Sequence, residues 1–391
     1  MGFFDLTGWG FLIGILVVTI IVFVLGVLLL PRMSAPGPLK YLAQAVAFVV
    51  VSALVLLTAT AWLNRDNNWY TSWDDLFSSG DVTAMNSSKV FGQKVAKVAH
   101  AKKITGDATD KQRDPASNPA FKDKIKEGES DSTYFSVKVP GKASGQSYDV
   151  TVWLPASYLK NPESFYPVIM GFSGFPGSPD TYSKSIDYGQ LIENAVKHNK
   201  MREAIFVVPA VYPGGYDSEC VDGTRSQSGG KTPKVETYVT QDVVPWVKDN
   251  FRVSDDPHAW ALTGYSAGGW CSAMLSMRHP DLFASGLVQS GYFEPIYSDN
   301  QHWNAQDDPR YDLEKMASNK PPDTNLHYFS SKDDTLSWPS LNQFKDKVSR
   351  PTSLTVDSVD TGGHRQDVWE PGMAKSLIWL GRTSPFFAPL T

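Results

Sequence analysis

The 391 residues carry 36 Lys and Arg against 41 Asp and Glu, a formal net charge of −5, with 20% charged and 12% aromatic residues. That balance offers no basic surface for nucleic acid, and two cysteines are too few for a disulfide scaffold or a thiolate zinc site. The length suits one large domain with appendages.

Two charge-free apolar stretches, about residues 9–30 and 41–63, dominate the amino terminus. Each exceeds the ~20 residues that a helix needs to cross hydrocarbon, so residues 1–66 are predicted to form a two-helix membrane anchor. No basic segment precedes the first stretch and Asp5 stands there instead, which argues against a cleavable signal peptide. The connector holds Arg32 and Lys40 and no acid, whereas Arg65 is soon answered by Asp66, Asp74 and Asp75. The positive-inside rule then places the connector in the cytoplasm, with both termini outside the plasma membrane.

Residues 67–131 are polar and irregular and read as an extracytoplasmic linker. From residue 132 the pattern changes. Alternation around Tyr134–Pro140 and Tyr148–Pro155, with a Gly-containing turn between, predicts a hairpin. Apolar runs at 166–173, 204–210, 258–263, 284–289, 326–330 and 352–356 then alternate with helical stretches at 188–200, 235–250, 269–275 and 369–379. Strands alternating with helices after an opening hairpin describe an α/β domain over 132–391, a mostly parallel sheet flanked by helices. Ligands of such sheets bind at the carboxyl ends of the strands.

At one of those ends stands Gly264-Tyr265-Ser266-Ala267-Gly268, a G-x-S-x-G turn between a strand and a helix. Such a turn projects the serine hydroxyl from the sheet edge and leaves the following amide free for an oxyanion. A serine needs a base, and the base needs an orienting acid. His364, after Gly362 and Gly363 and beyond the last strand, completes the chain order Ser, acid, His; His258, His279, His302 and His327 lie in or beside predicted elements. The acid belongs after the preceding strand, where Asp334 is preferred and Asp333 remains open. The amide of Phe175, in the loop after the first buried strand, is expected to pair with that of Ala267 as the oxyanion hole; Ser173 and Tyr265 are expected to touch substrate. On an oxidising side, Cys220 and Cys271 are expected to form one disulfide holding a long loop over the elbow helix, with two separate buried thiols as the alternative.

Gly264-Tyr-Ser-Ala-Gly-Gly, Pro167-Val-Ile-Met-Gly-Phe-Ser-Gly, Ser331-Lys-Asp-Asp-Thr-Leu-Ser-Trp and Gly362-Gly-His with Trp369 together resemble the esterase D-like esterase family of α/β-hydrolases, over about residues 132–380. The resemblance implies a serine hydrolase or acyltransferase with Ser266, an Asp and His364 as its triad, and no metal or organic cofactor. Relatives in that family include secreted mycolyltransferases. This chain departs from them: its loop reads Ser173-Gly-Phe-Pro rather than an Asp-Gly-Leu-Arg-like sequence, it offers aspartates where they use a glutamate, and Ala267-Gly268-Gly269 follows the serine. The expected function is a membrane-anchored serine esterase acting on acylated envelope lipids or glycolipids, acylated trehalose and mycolate lipids among them. An acyltransferase using a sugar hydroxyl is the alternative, followed by a non-catalytic envelope-binding module.

Overall fold

A computed structural model describes residues 6–32, 34, 36–67, 70, 73, 76, 85–121, 123–125, 131–224, 232–298, 303–304 and 308–390. Helices α1 (Trp9–Leu29) and α2 (Gly37–Asn67) form a hairpin. Midway, the Thr19 and Thr58 hydroxyls meet at 3.3 Å, and each also bonds the carbonyl four residues back, so neither is left unpaired in an apolar setting. The Arg65 guanidinium lies 3.8 Å over the Trp9 ring, and Trp73 meets Phe11 edge-on at 5.0 Å. Cationic and aromatic side chains thus gather at the end where α1 begins and α2 finishes, as they do at a membrane–water boundary. Outward-facing side chains stay bare, Phe48 at 74% and Val49 at 64% exposure, so these are candidate membrane spans rather than core helices.

The rest of the chain is built on a nine-stranded sheet. In chain order its strands are β1 (Lys89–Gly92), β2 (Thr133–Pro140), β3 (Ser147–Leu154), β4 (Val168–Phe172), β5 (Ile205–Pro209), β6 (Trp260–Tyr265), β7 (Ser285–Gln289), β8 (Asn325–Ser331) and β9 (Ser353–Val359). Their order across the sheet is β1-β9-β8-β7-β6-β4-β5-β3-β2. Strands β4 to β9 run parallel, while β3 joins β5 antiparallel and β2 closes the hairpin. Every residue of β4 to β7 is buried, as expected for strands covered on both faces, whereas β2 at the edge alternates buried and exposed. The covering helices include α3 (Tyr188–Lys197), α4 (Val244–Asn250), α5 (Ala267–Arg278), α6 (Ser337–Phe344) and α7 (Gln366–Thr383). The helix expected over 235–250 begins at Val235–Thr237 and passes through a π-helical stretch, Tyr238–Val243, before α4. Strand β6, which leads to the G-x-S-x-G turn, sits at the centre of the sheet.

The polar stretch read as a linker does more than tether. Strand β1 adds an antiparallel edge to β9, with Lys89 opposite Val356 and Gly92 opposite Ser353. Phe121, only 2% exposed, stacks on Phe251 with ring centroids 5.2 Å apart, and Ile104 and Ile125 join the same core. Gln112 is buried and its Nε2 donates to the carbonyls of Lys248 (3.0 Å) and Phe251 (3.2 Å). The described residues between 86 and 125 therefore wrap the α/β unit instead of leading up to it.

Candidate active site

Ser266 occupies φ 56°, ψ −127°, a conformation that a serine holds only where its surroundings dictate it. Close packing dictates it here. A Cβ on Gly264 would lie 2.0 Å from the Gly268 carbonyl oxygen, and one on Gly268 would lie 2.0 Å from the Phe172 oxygen. The Ser266 amide donates to the Gln289 carbonyl at the end of β7 (3.0 Å), and the Ser266 carbonyl accepts from Gly269 (2.9 Å). Helix α5 starts at Ala267, so the amides of its first turn point out of its amino terminus beside the serine.

His364 Nε2 lies 2.8 Å from Ser266 Oγ, and its Nδ1 lies 2.8 Å from Asp334 Oδ2. The imidazole is 6% exposed and Asp334 fully buried, while Ser266 is half-buried at the open end. Asp334 is heavily donated to. Its Oδ1 accepts the amides of Leu336 (3.1 Å) and Ser337 (3.0 Å), and its Oδ2 accepts the hydroxyls of Ser330 (3.3 Å) and Ser337. Burial pushes this carboxyl up, but the charge and hydrogen bond of His364 and the Ser337 donors outweigh it and bring it down to about 2. Asp333 faces the other way. Its two oxygens accept the amides of Gly363 (3.0 Å) and Gly362 (3.3 Å), bracing the glycine loop that carries His364. Trp369 closes the aromatic wall, edge-on to His364 at 5.2 Å and stacked on Tyr265 at 4.6 Å.

The loop after β4 presses directly on the serine, since a Cβ on Gly174 would fall 3.0 Å from Ser266 Cβ and 2.9 Å from the Tyr265 ring. The Gly174 carbonyl accepts the Gly177 amide at 2.6 Å, which tightens the turn containing Phe175. Ser173 and Tyr265, expected at the substrate, are instead 3% and 5% exposed. The Ser173 carbonyl accepts the Tyr212 hydroxyl (2.8 Å), and the Tyr265 ring packs between Trp369 and Tyr182. Both shape the loop from beneath and offer a ligand little surface. None of the alternative histidines His258, His279 and His327 contacts Ser266 in this way. His258 sits in the turn before β6, His279 bonds Glu236 (2.7 Å), and His327 is buried between Asp357 (2.9 Å) and Ser376 (2.8 Å). His302 lies outside the described residues.

Residues 141–380, more than half of the chain, match the putative esterase family. The chain belongs to that family. An uncharacterized protein of Corynebacterium glutamicum is 27% identical over 251 residues, covering 60% of this chain and 57% of its own length. An endo-1,4-beta-xylanase/feruloyl esterase of Xylanibacter ruminicola is 22% identical over 158 residues, 39% of this chain and 21% of its own. This chain thus spans little more than half, or less, of the curated relatives it matches. Among solved structures, an S-formylglutathione hydrolase from Agrobacterium tumefaciens superposes with a TM-score of 0.55 at 16% identity, covering 66% of this chain and 97% of that one. A ferulic acid esterase gives 0.54 at 19% identity, covering 66% and 100%. These likenesses establish the esterase-type α/β fold.

In this esterase-family chain Cys220 and Cys271 are bonded, with Cα atoms 5.6 Å apart, so the long loop is fixed to α5 five residues past the serine. Around the bond lies a buried network that the sequence did not reveal. The Tyr292 hydroxyl donates to Glu219 Oε1 (2.5 Å), Trp270 Nε1 to the Glu219 carbonyl (2.8 Å), and Trp303 Nε1 to the Asp217 carbonyl (2.6 Å). Burial, reinforced by the charge of nearby Asp217, raises the Glu219 carboxyl well above the ordinary range. Neither this network nor the bracing role of Asp333 has a local sequence signal, because each depends on residues distant in the chain.

Proposed function

We propose that this protein is a membrane-anchored serine esterase that hydrolyses acyl esters of cell-envelope lipids or glycolipids, acylated trehalose and mycolate lipids being the class to try first. The Ser266–His364–Asp334 relay carries the reading, with 2.8 Å contacts on both sides of the imidazole. His364 takes the Ser266 proton as Oγ attacks the ester carbonyl, and ionised Asp334 holds Nδ1–H and stabilises the imidazolium. The amides of Ala267 and Phe175 donate to the oxyanion, a role supported by the start of α5 and by the pressure of the Gly174 turn on Ser266. His364 then returns the proton to the leaving alcohol, and water resolves the acyl-enzyme. The disulfide and the basic connector between the spans support an extracytoplasmic site with both termini outside.

A fluorophosphonate probe tests the reading together with p-nitrophenyl esters of graded chain length. The expected result is covalent labelling of the wild type, none of Ser266→Ala, and a fall in kcat of roughly 10⁴-fold or more. Equal labelling of the folded variant would remove Ser266 as nucleophile.

A further inference from the structure

We infer that the juxtamembrane chain clasps the His364 loop and holds the mouth of the site at the bilayer surface, so that lipid-resident esters are met without leaving the membrane. The inference rests on the esterase reading for its substrate class but not for its geometry. Three contacts carry it. Asn64, in the last turns of α2, closes a loop on Tyr70: its Nδ2 donates to the Tyr70 carbonyl (2.9 Å) and its Oδ1 accepts the Tyr70 amide (2.8 Å). The Tyr70 ring in turn sits under the Arg365 guanidinium at 4.8 Å, one residue from His364. Further along, the Asn86 amide donates to the Ser358 carbonyl (2.8 Å) and its Nδ2 to Asp360 (3.0 Å), at the end of β9 where the His364 loop begins.

Topology demands the same placement. Strand β1 is antiparallel to β9, so the chain arriving from α2 enters the sheet at the carboxyl ends of the parallel strands, where Ser266 projects. The loop from Asp360 to Arg365 is thus gripped on both flanks by the segment that leaves the membrane. Arg65 over Trp9 marks the boundary end of the spans, and Tyr70 is tied to the turn beside it. A cation and an aromatic ring at this level belong to the interfacial zone, which puts His364 within a few side chains of the headgroups. The partner is a lipid surface, and the substrate is an ester whose acyl chain stays in that surface.

The test measures depth. Both native cysteines are bonded to each other, so a cysteine introduced at exposed Thr361 or exposed Asp255 is the sole thiol available for a nitroxide. The two positions lie at opposite ends of the parallel strands. In full-length protein reconstituted in phosphatidylcholine vesicles with a minority of phosphatidylglycerol, the label on Thr361→Cys is expected to collide with a water-soluble nickel chelate about five-fold less often than that on Asp255→Cys. Adding Tyr70→Ala is expected to abolish most of the difference. Equal collision rates at the two sites, or a difference indifferent to Tyr70→Ala, would overturn the clasp. Hydrolysis of soluble p-nitrophenyl butyrate, followed in the same vesicles, separates the two readings. A shielded label on an inactive protein keeps the clasp and sinks the esterase, and an active protein with equal labels does the reverse.

Discussion

Replacing Asp334 and Asp333 in turn by Asn separates two roles that adjoin in the chain. In Asp334→Asn the amide orientation is dictated by the surroundings. Two backbone N–H groups, from Leu336 and Ser337, point at Oδ1, so the amide oxygen must stay there and the NH2 must take the Oδ2 position 2.8 Å from His364 Nδ1. A donor there forces Nδ1 to accept, which puts the imidazole proton on Nε2 and leaves no lone pair for the Ser266 hydroxyl. Loss of the right tautomer costs roughly 10⁴ in kcat, about 5.5 kcal/mol of barrier. In Asp333→Asn only one of two amide contacts to the glycine loop is lost, about 1–3 kcal/mol, so kcat falls no more than about ten- to hundred-fold. The assay is p-nitrophenyl acetate turnover by folded, detergent-solubilised full-length protein. The pH dependence has a definite sign. The Asp334 carboxyl is depressed to about 2 in the fold, so its stabilisation is complete above the ordinary carboxylate range and is lost as pH falls through about 2. The wild type is therefore expected to lose stability more steeply than Asp334→Asn on acidification below about pH 4. Equal losses of kcat in the two variants, or an Asp334→Asn enzyme retaining a tenth of wild-type turnover, would refute the assignment.

Two further perturbations test the scaffold around the serine. Gly174→Ala sets a methyl 2.9 Å from the Tyr265 ring and 3.0 Å from Ser266 Cβ; overpacking of about 1–3 kcal/mol is expected to displace the loop and lower kcat by about ten- to hundred-fold with little change in KM, as steady-state kinetics would show. Cys220→Ser with Cys271→Ser opens a closure between residues 51 apart. Loop entropy alone sets the cost at about 4 kcal/mol, to be read from urea unfolding of oxidised, reduced and double-mutant protein.

Legibility in the sequence followed how local each signal was. Ser266 and His364 were readable because each stands in a short glycine-marked turn just after a strand, and chain order linked them. Asp333 and Asp334 were not separable by residue type. They share one turn, and only side-chain direction sends one to His364 and the other to the Gly362–Gly363 amides. Tyr265 ends a strand buried on both faces, so adjacency to Ser266 leaves its ring packed between Trp369 and Tyr182, with little of it open to solvent. The wrap from 86 to 125 was hidden because its apolar anchors, Ile104, Phe121 and Ile125, are spaced by polar runs and show no period, and β1 has only four residues. Parallel pairing and the last helix are legible because long apolar runs and helical stretches alternate regularly, although that helix begins at Gln366, three residues before the expected start.

The edge strand β1 is linked to Ser266 through side chains. Beside β1, the Ser88 hydroxyl donates to Asp357 on β9, whose carboxylate meets His327 on β8 at 2.9 Å. Burial lowers the His327 pKa more than Asp357 raises it, which favours a neutral ring bridging to Ser376 on α7 (2.8 Å). Ser376 accepts from Gln289 Nε2 (2.7 Å), and the carbonyl of that same Gln289 receives the Ser266 amide (3.0 Å). From Asp357 to Gln289 the members of this chain are buried, so a lost partner leaves a polar group unsatisfied at a cost of about 1–3 kcal/mol. Removing β1 would strip Asp357 of a donor and bare the edge of β9, loosening the sheet from the side that ends in the His364 loop. The added strand β1 and the strained serine therefore belong to one hydrogen-bonded unit that runs through β9, β8 and α7 to the end of β7.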